Sequence, residues 1–263
     1  MSYFRVESLR VGYAGQDVIK NISLEFDRAR IATIIGPNGS GKSTLLKAAG
    51  RLLKPYAGEV FIEDEPILAM EERQLAQKLG ILPQSPTAPA DLPVHCLVAF
   101  GRTPHHGFFG RFSTEDQEAV TWALEATGMA DKRFKRVGQL SGGERQRAWI
   151  AMALAQKPEI LLLDEPTTYL DIHHQFEVLE LLQELNQLHD LTVVMVLHDL
   201  NLAAFFSHRI IALKEGELVA DGAPEAVLST ETIRRVFGIR AKILCLEEEG
   251  IQRTVAIPLG VRP

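Results

Sequence analysis

The sequence of 263 residues is poor in cysteine and has no long apolar run. Its only two cysteines, Cys96 and Cys245, do not have the spacing of a metal site. We therefore expect a reduced, cytosolic setting. The longest apolar runs, such as "LTVVMVLH" at 191–198, have the length of a strand and fall short of the roughly 18 residues of a membrane span. If this protein works at a membrane, another chain has to supply the spans.

Basic blocks, repeats and low-complexity segments are also missing. The net charge is −6, and no Lys- or Arg-rich tail is present, so nucleic acid is not expected as a main partner. The first residues, "MSYFRVESLRVGY", do not have the basic and then apolar pattern of a signal peptide. Hydrophobic residues at 46% and charged residues at 24% are typical of a globular protein with an ample core.

Strands and helices alternate along most of the chain, which predicts an α/β fold with a mostly parallel sheet. Residues 3–35 indicate short strands and turns, which we interpret as an N-terminal antiparallel β part. Residues 85–157 are predicted to form a helical insert, with Ser113 and Asp116 spaced as a capping box. We expect one domain over 1–263, with 1–84 and 158–263 as the core and 85–157 as a helical subdomain.

Chemistry-bearing residues follow four of the predicted strands. These residues are Gly36, Gln84, Asp164 and His198. Ligands of such sheets bind beyond the carboxyl ends of the strands, so we expect the four residues to share one rim.

The stretch "GPNGSGKST" at 36–44 satisfies the pattern G-x-x-x-x-G-K-[ST] between a predicted strand and a predicted helix. Its glycines let consecutive backbone N–H groups face phosphate oxygens. Lys42 is expected to contact the terminal phosphates, and the Ser43 hydroxyl is expected to bind Mg²⁺. The predicted nucleotide-binding residues here are Gly36, Pro37, Asn38, Gly39, Ser40, Gly41, Lys42, Ser43 and Thr44.

Two acids follow the apolar strand "EILLL". Asp164 is predicted to hold Mg²⁺, and Glu165 to orient or deprotonate the water that attacks the γ-phosphate. The alternative for Glu165 is a surface salt bridge. His198 is predicted to contact the γ-phosphate, and its alternative is a hydrogen-bonded histidine at a strand end. Gln84, in a Pro-rich region, is a weaker candidate, and the pairs His105–His106 and His173–His174 are interpreted as solvated.

A second anion site is predicted at "SGGE", residues 141–144, where a turn runs into a helix. Ser141 and Glu144 have the spacing of a capping box, so the stretch has the alternative of simply starting a helix. That alternative leaves Gly142 and Gly143 unexplained, because glycine in a first turn costs roughly 1 kcal/mol against alanine. The first site already has its Lys and Mg²⁺ ligands. We therefore expect this second site to serve a nucleotide held by another copy of the chain, arranged head to tail.

Together these residues resemble the ATP-binding subunit of ATP-binding cassette (ABC) transporters. "GPNGSGKST" resembles the Walker A motif, "LPQ" at Gln84 the Q-loop, "LSGGE" the signature motif, and "ILLLDEP" the Walker B motif. "YLD" at 169–171 is similar to the D-loop, and His198 to the switch histidine. The resemblance covers residues 3–225 and departs at Glu144, where Gln is commoner.

This resemblance implies a P-loop fold of ABC type, ATP and Mg²⁺ as cofactors, and catalytic roles for Glu165, His198 and Gln84. It implies nucleotide contacts by Tyr13, by Ser141 to Glu144 and by Asp171, and Mg²⁺ ligation by Ser43, Gln84 and Asp164. It further implies a homodimer that binds integral membrane permease subunits at the cytoplasmic face of the membrane. A substrate-binding protein is implied as an indirect partner.

"LDEPTTYLDIHHQ" and "VLHDLNLAA" are similar to importers of iron–siderophore, haem or cobalamin type. We therefore predict an ATPase that drives such uptake. The alternatives are an ABC-type ATPase not coupled to transport and a nucleotide-binding module without turnover. The sequence lacks the long coiled coil of repair proteins and the second cassette of translation factors.

The stretch "FGRTPHHGFFGRF" at 100–112 carries four aromatics: Phe100, Phe108, Phe109 and Phe112. One interpretation is an exposed patch that binds a cytoplasmic helix of the permease. The other is a loop whose phenylalanines pack under the insert.

Overall fold

The computed structural model describes residues 3–105, 112–248 and 251–261. The strands and helices of this part of the chain, in order, are β1 (Phe4–Tyr13), β2 (Gln16–Phe26), β3 (Ile31–Ile35), α1 (Lys42–Ala49), β4 (Ala57–Ile62), β5 (Glu65–Pro66), α2 (Glu72–Lys78), β6 (Leu79–Leu82), α3 (Val94–Ala99), α4 (Thr114–Ala126), α5 (Gly142–Ala155), β7 (Ile160–Leu163), α6 (Ile172–His189), β8 (Thr192–Val196), α7 (Leu200–Phe206), β9 (Arg209–Lys214), β10 (Glu217–Gly222), α8 (Pro224–Val227), α9 (Thr230–Phe237), β11 (Arg240–Glu248) and β12 (Ile251–Gly260).

The chain divides into two compact units. Unit 1 comprises Met1–Ala69 and Val194–Pro263, and unit 2 comprises Met70–Val193. The proposed subdomain boundary at 85–157 stays a prediction.

Unit 1 contains the predicted N-terminal antiparallel part. β1 pairs antiparallel with β2 on one side and with β4 on the other, and β5 extends the sheet beyond β4. In the second half of β2, from Asn21 to Phe26, the side chains alternate between exposed and buried, as in a sheet with one covered face.

A second sheet in unit 1 is built around β3, which is buried along its whole length. β9 runs parallel to β3, β10 pairs antiparallel with β9, and β8 is the other neighbour of β3. β9 and β10 form a hairpin, with Glu215 and Gly216 at positive φ in the turn. α1 is the next element after β3 and ends at Ala49.

Unit 2 joins parallel strands to helices. β6 runs parallel to β7, with Leu79 opposite Ile160 and Leu82 opposite Leu163. α3, α4 and α5 pack against one another, and α6 packs against α5. The predicted capping box at Ser113 and Asp116 is confirmed at the start of α4. In the described residues, no helix has the length and apolar character that crossing a membrane requires.

Candidate nucleotide-binding and catalytic site

The stretch 36–44 lies in unit 1 and connects the end of β3 to the start of α1. Lys42 is the first residue of α1 and is only 5% exposed. Its ammonium group donates to the carbonyl oxygens of Gly36 and Pro37, at 2.9 and 3.1 Å. The loop therefore surrounds the Lys42 ammonium group, which lies close to the loop backbone. Its positive charge is available to an anion.

Two glycines allow this loop to form. Gly39 and Gly41 have φ angles of 80° and 101°, which side chains disfavour. A Cβ on Gly39 would point into open space, whereas a Cβ on Gly41 would come within 2.6 Å of the Ile19 side chain. Among the described side chains none caps α1, so its first N–H groups are suited to an anion.

Ser40 supports the same interpretation. Its hydroxyl is buried and has no hydrogen-bond partner among the described residues. Because a buried polar group without a partner is costly, this orphaned hydroxyl indicates a ligand that is part of the working site. The buried cation, the helix start without a side-chain cap and the orphaned hydroxyl together fit a polyphosphate.

His198 follows β8, which neighbours β3 in the sheet. The backbone N–H of Leu197 donates to the carbonyl of Ile34 at 3.3 Å, so His198 follows directly on a residue bonded to β3 close to the start of the loop at Gly36. The imidazole-bearing residue is exposed. Two of the four strand-end residues, Gly36 and His198, are therefore at the ends of neighbouring strands of unit 1.

Tyr13 is the last residue of β1 and is 48% exposed. It precedes the turn at Ala14 and Gly15, both at positive φ. An exposed aromatic ring at a strand end is available to stack on a base.

Unit 2 brings together the other strand-end residues. The N–H of Asp164 donates to the carbonyl of Leu82 at 2.9 Å, which links the ends of β6 and β7. Gln84 Nε2 then donates to Glu165 Oε2 at 2.6 Å. The sequence predicted that Gln84 and Asp164 share one rim, and within unit 2 Gln84 contacts Glu165, the residue after Asp164, across 81 positions.

Glu165 is held by a second side chain that the sequence analysis missed. Thr168 Oγ1 donates to the same Oε2 atom at 2.9 Å. The backbone of Glu165 is left-handed, with φ of 54°, which is unusual for a residue other than glycine and is often found at functional sites. Asp164 beside it is 5% exposed.

The signature stretch starts α5 in unit 2. Ser141 Oγ accepts from the N–H of Glu144 at 3.2 Å, and Glu144 Oε2 accepts from the N–H of Ser141 at 2.9 Å. The predicted capping box is therefore confirmed. The hydrogen bond from the Ser141 N–H lowers the pKa of Glu144, and Lys132 contributes with its Nζ atom 3.2 Å from Oε1. The motif at 141–144 did not indicate Lys132, because this residue lies twelve positions before Glu144.

Gly143 has a reason to be glycine within the chain itself. A Cβ there would come within 2.2 Å of the His174 ring, whereas a Cβ on Gly142 would meet only Leu170 at 3.3 Å. His174 is fixed by Asp171, whose Oδ1 accepts from its N–H at 2.9 Å and lies 2.7 Å from its Nδ1. These contacts lower the pKa of Asp171 and make it the cap of α6. Of the two glycines, only Gly142 therefore still supports the argument that a ligand approaches the backbone here.

The interpretation of both histidine pairs as solvated is wrong for two members. His105 Nε2 lies 2.9 Å from the Gln156 carbonyl, and His174 packs on Gly143. His173 is exposed as expected, and His106 lies outside the described residues. No group of three His, Cys, Asp or Glu side chains suited to a metal occurs in 3–105, 112–248 and 251–261.

Phe100 and Phe112 are more than half exposed, which favours the patch interpretation of 100–112 for these two rings. Phe108 and Phe109 lie outside the described residues. The residues before them form a 3₁₀ helix, Phe100–His105.

Comparison with known proteins gives a consistent result. The family profile described as "ABC transporter" matches residues 19–168. The iron(3+)-hydroxamate import ATP-binding protein FhuC of Bacillus subtilis (strain 168) is 46% identical over 93% of this chain and 91% of its own. The ferric enterobactin transport ATP-binding protein FepC of Escherichia coli (strain K12) is 46% identical over 97% of this chain and 94% of its own.

Solved structures agree in fold. A metal-chelate type ABC transporter in an inward-facing conformation has a TM-score of 0.86 at 26% identity, covering 98% of this chain and 97% of that chain. The ATP-binding cassette MJ0796, solved as a dimer bound to ADP and Pi, has a TM-score of 0.72 at 31% identity, covering 84% and 98%. The family profile spans more than half of the chain, and the relatives span nearly all of it, so this chain belongs to the ABC transporter family, as one of its ATP-binding ATPases.

Proposed function

We propose that this chain is the ATP-hydrolysing subunit that drives uptake of an iron–siderophore, haem or cobalamin cargo through a separate membrane permease. The observation that carries the cargo class is the 46% identity to FhuC and FepC, named for iron(3+)-hydroxamate import and ferric enterobactin transport, over more than nine tenths of the chain. The observation that carries the chemistry is the hydrogen-bonded pair of Gln84 and Glu165 beside the buried Asp164.

In this proposal unit 1 holds the nucleotide. Tyr13 stacks on the adenine, and the N–H groups of residues 36–44 surround the phosphates. The Lys42 ammonium moves from its own loop carbonyls to the terminal phosphates, an exchange of one set of oxygen acceptors for a more negative one. His198 donates to the γ-phosphate from the neighbouring strand end.

The side chains of Ser43, Gln84 and Asp164 suit Mg²⁺, because all three offer the hard oxygen ligands that this ion prefers. Gln84 donates to Glu165 through its nitrogen, which leaves its amide oxygen for the ion. When bound, Mg²⁺ neutralises charge that develops on the β- and γ-phosphate oxygens.

Glu165 is the residue that receives the proton of the attacking water. A carboxylate that accepts hydrogen bonds from Gln84 and Thr168 is fixed in orientation, and a fixed base costs little reorganisation in the transition state. Both donors reach the same carboxylate oxygen, Oε2.

The partner of the nucleotide site is a second copy of the chain. Gly142 and Gly143 at the start of α5 present N–H groups to the ATP of that copy, with Ser141 and Glu144 beside them and Asp171 at the contact between copies. Two head-to-tail copies then share two composite sites. The dimeric MJ0796 cassette supports this proposal at 31% identity.

The permease is the second partner, and the chain works as a peripheral protein on the cytoplasmic face of the membrane. We infer that residues 85–157 form the helical subdomain that binds it. The exposed rings of Phe100 and Phe112 support a contact there, because apolar rings in water favour an apolar partner. A substrate-binding protein acts on the other side and touches this chain only through the permease.

Transport can be tested by purifying the tagged full chain from detergent-solubilised membranes and identifying the membrane subunit that accompanies it. The complex is then placed in liposomes, and ATP-dependent uptake of ferric hydroxamate, ferric enterobactin, haem and cobalamin is compared. We expect uptake of one of these cargoes with the native chain and none with Glu165→Gln.

An active ATPase that brings down no membrane subunit would favour the soluble alternative. Uptake that is equal for native and Glu165→Gln complexes would refute the role of ATP hydrolysis.

A further inference from the structure

The C-terminal segment of unit 1, comprising α9, β11 and β12, lies beyond residues 19–168 of the family profile and supplies no residue to the proposed nucleotide site. β11 and β12 pair antiparallel from Arg240 opposite Gly260 to Glu248 opposite Ile251. A two-stranded hairpin is marginally stable alone, so its position depends on what it packs against.

The side chain of Asn201 in α7 is hydrogen-bonded to the hairpin. The Ala256 N–H donates to Asn201 Oδ1 at 2.8 Å, and Asn201 Nδ2 donates to the Ala256 carbonyl at 3.3 Å. Asn201 therefore satisfies both backbone groups of one buried strand residue, much as a neighbouring strand would. Arg253 on the same strand stacks over the Phe205 ring at 5.0 Å, which adds a second contact to α7.

An apolar contact acts at the same point. Ile233 of α9, Ala241 of β11 and Ala256 of β12 form a small buried cluster, and Leu200 of α7 packs against it. Leu200 and Asn201 are the first two residues of α7. The C-terminal segment thus contacts the start of this helix from two sides.

The start of α7 at Leu200 is also only two residues after His198. Asp199, the next residue, caps α7 by accepting from the N–H groups of Asn201 and Leu202 at 2.7 and 2.9 Å. A helix of seven residues is too short to be stable alone, so its first turn depends on tertiary contacts. Any shift of that turn is passed to His198 through one intervening residue.

We propose that the C-terminal segment holds the first turn of α7 and thereby positions His198 for the γ-phosphate, with Asn201 as the positioning residue. This inference rests on the proposed function, since it assumes that His198 acts on the nucleotide. It gives residues 230–260 a part in turnover without a contact to ATP.

The test compares steady-state ATPase kinetics of the full chain and its variants. Asn201→Leu removes both hydrogen bonds at similar size, and Asn201→Asp keeps the acceptor for the Ala256 N–H. We expect Asn201→Leu to lower kcat about tenfold with the KM for ATP unchanged, because the coupling acts through position and not through binding. Asn201→Asp is expected to retain an intermediate kcat.

Asn186→Leu is the matched control. Asn186 Nδ2 donates to the Leu191 carbonyl at 2.6 Å in unit 2, so this variant also loses a side-chain bond to the backbone, but at the start of β8 and not at its end, which His198 follows. It is expected to lower the unfolding midpoint and leave kcat unchanged. Hydrogen exchange should quicken at residues 200–206 in Asn201→Leu and not in Asn186→Leu.

His198→Ala completes the comparison. We expect it to lower kcat to a residual rate that Asn201→Leu, added to it, does not lower further. If Asn201→Leu has the kcat of the native chain while His198→Ala is impaired, this inference alone is wrong. If Asn201→Leu loses kcat only as far as Asn186→Leu does, the role is merely structural. A fully active His198→Ala would overturn the proposed role of His198, and the inference with it.

Discussion

At the scale of single residues, Glu165 combines a left-handed backbone with two hydrogen bonds on one carboxylate oxygen. Left-handed backbone costs roughly 1 kcal/mol or more for a residue with a side chain, so surrounding contacts must maintain it. The two donors to Oε2, Gln84 and Thr168, are uncharged side chains. The arrangement favours a base with a fixed direction.

Replacing Glu165 by Gln tests this base. The amide keeps the size of the side chain but cannot take a proton from water, so we expect ATP binding to persist while hydrolysis stops. ATPase assays, binding of labelled ATP and size-exclusion chromatography in ATP would measure turnover, affinity and dimer formation. Glu180→Gln, the same change at an exposed position of α6, should behave as the native chain. Normal turnover by Glu165→Gln would remove Glu165 from catalysis.

Lys132 and Glu144 give a second prediction at this scale. An ionised Glu144 at the start of α5 weakens the positive potential that the helix start offers to a phosphate, and Lys132 offsets it at 3.2 Å. In the chain that keeps Glu144, we expect Lys132→Ala to raise the KM for ATP several-fold. In Glu144→Gln, which has no charge to offset, the same change should have little effect. Equal effects in the two backgrounds would show that Lys132 acts independently of Glu144.

At the scale of elements, the β9–β10 hairpin supports the phosphate loop. The Gly216 N–H donates to the Ser40 carbonyl at 3.1 Å, and the Gly216 carbonyl accepts from the Lys20 N–H at 3.1 Å. A Cβ on Gly216 would come within 2.0 Å of the Val18 carbonyl oxygen. The turn therefore packs between β2 and the phosphate loop. Glycine is required at 216 because the turn approaches the backbone of β2 too closely for a side chain.

Gly216→Ala should therefore damage both stability and nucleotide binding. Gly238→Ala is the matched control, because Gly238 also has positive φ, 69°, but open space around its Cβ direction. We expect Gly238→Ala to cost about 1 kcal/mol of unfolding free energy with an unchanged KM for ATP. Gly216→Ala should cost more and raise that KM. Urea unfolding and ATPase kinetics would measure both, and equal behaviour of the two variants would contradict the support role.

At the scale of the whole molecule, the proposal requires two chains to make one site. Lys42→Ala and Ser141→Arg should each inactivate a homodimer, because one removes the phosphate counter-charge and the other blocks the signature. In a mixed dimer both faults fall in one composite site and leave the other intact. We expect mixing to restore ATPase activity. If the two sites act independently, each mixed dimer should reach up to about half of the rate of a native dimer.

The two variants can be given different tags, so that mixed dimers are isolated by sequential affinity steps. Isolated mixed dimers without activity would count against shared sites, provided one intact site suffices. An active chain that stays monomeric through turnover would exclude them.

The features that depend on neighbours along the chain could be predicted from the sequence. The loop at 36–44 needs glycines and a lysine at fixed spacing, and the capping boxes at Ser113 and Ser141 need a partner three residues on. Strand alternation and the turn at Glu215–Gly216 are likewise short-range, because sterics and local hydrogen bonds decide them. The α/β fold and the family followed from these signals, and both are confirmed.

Tertiary structure alone decided the contacts between residues far apart in sequence. Gln84 meets Glu165, His174 fills the space beside Gly143, and Asn201 binds Ala256 because packing brings their elements together. The sequence explained glycine at 143 by the approach of a ligand, and only the position of the His174 ring shows that packing within the chain also requires it. Long-range contacts depend on the placement of every element between them, and a pattern of nearest neighbours does not contain that information.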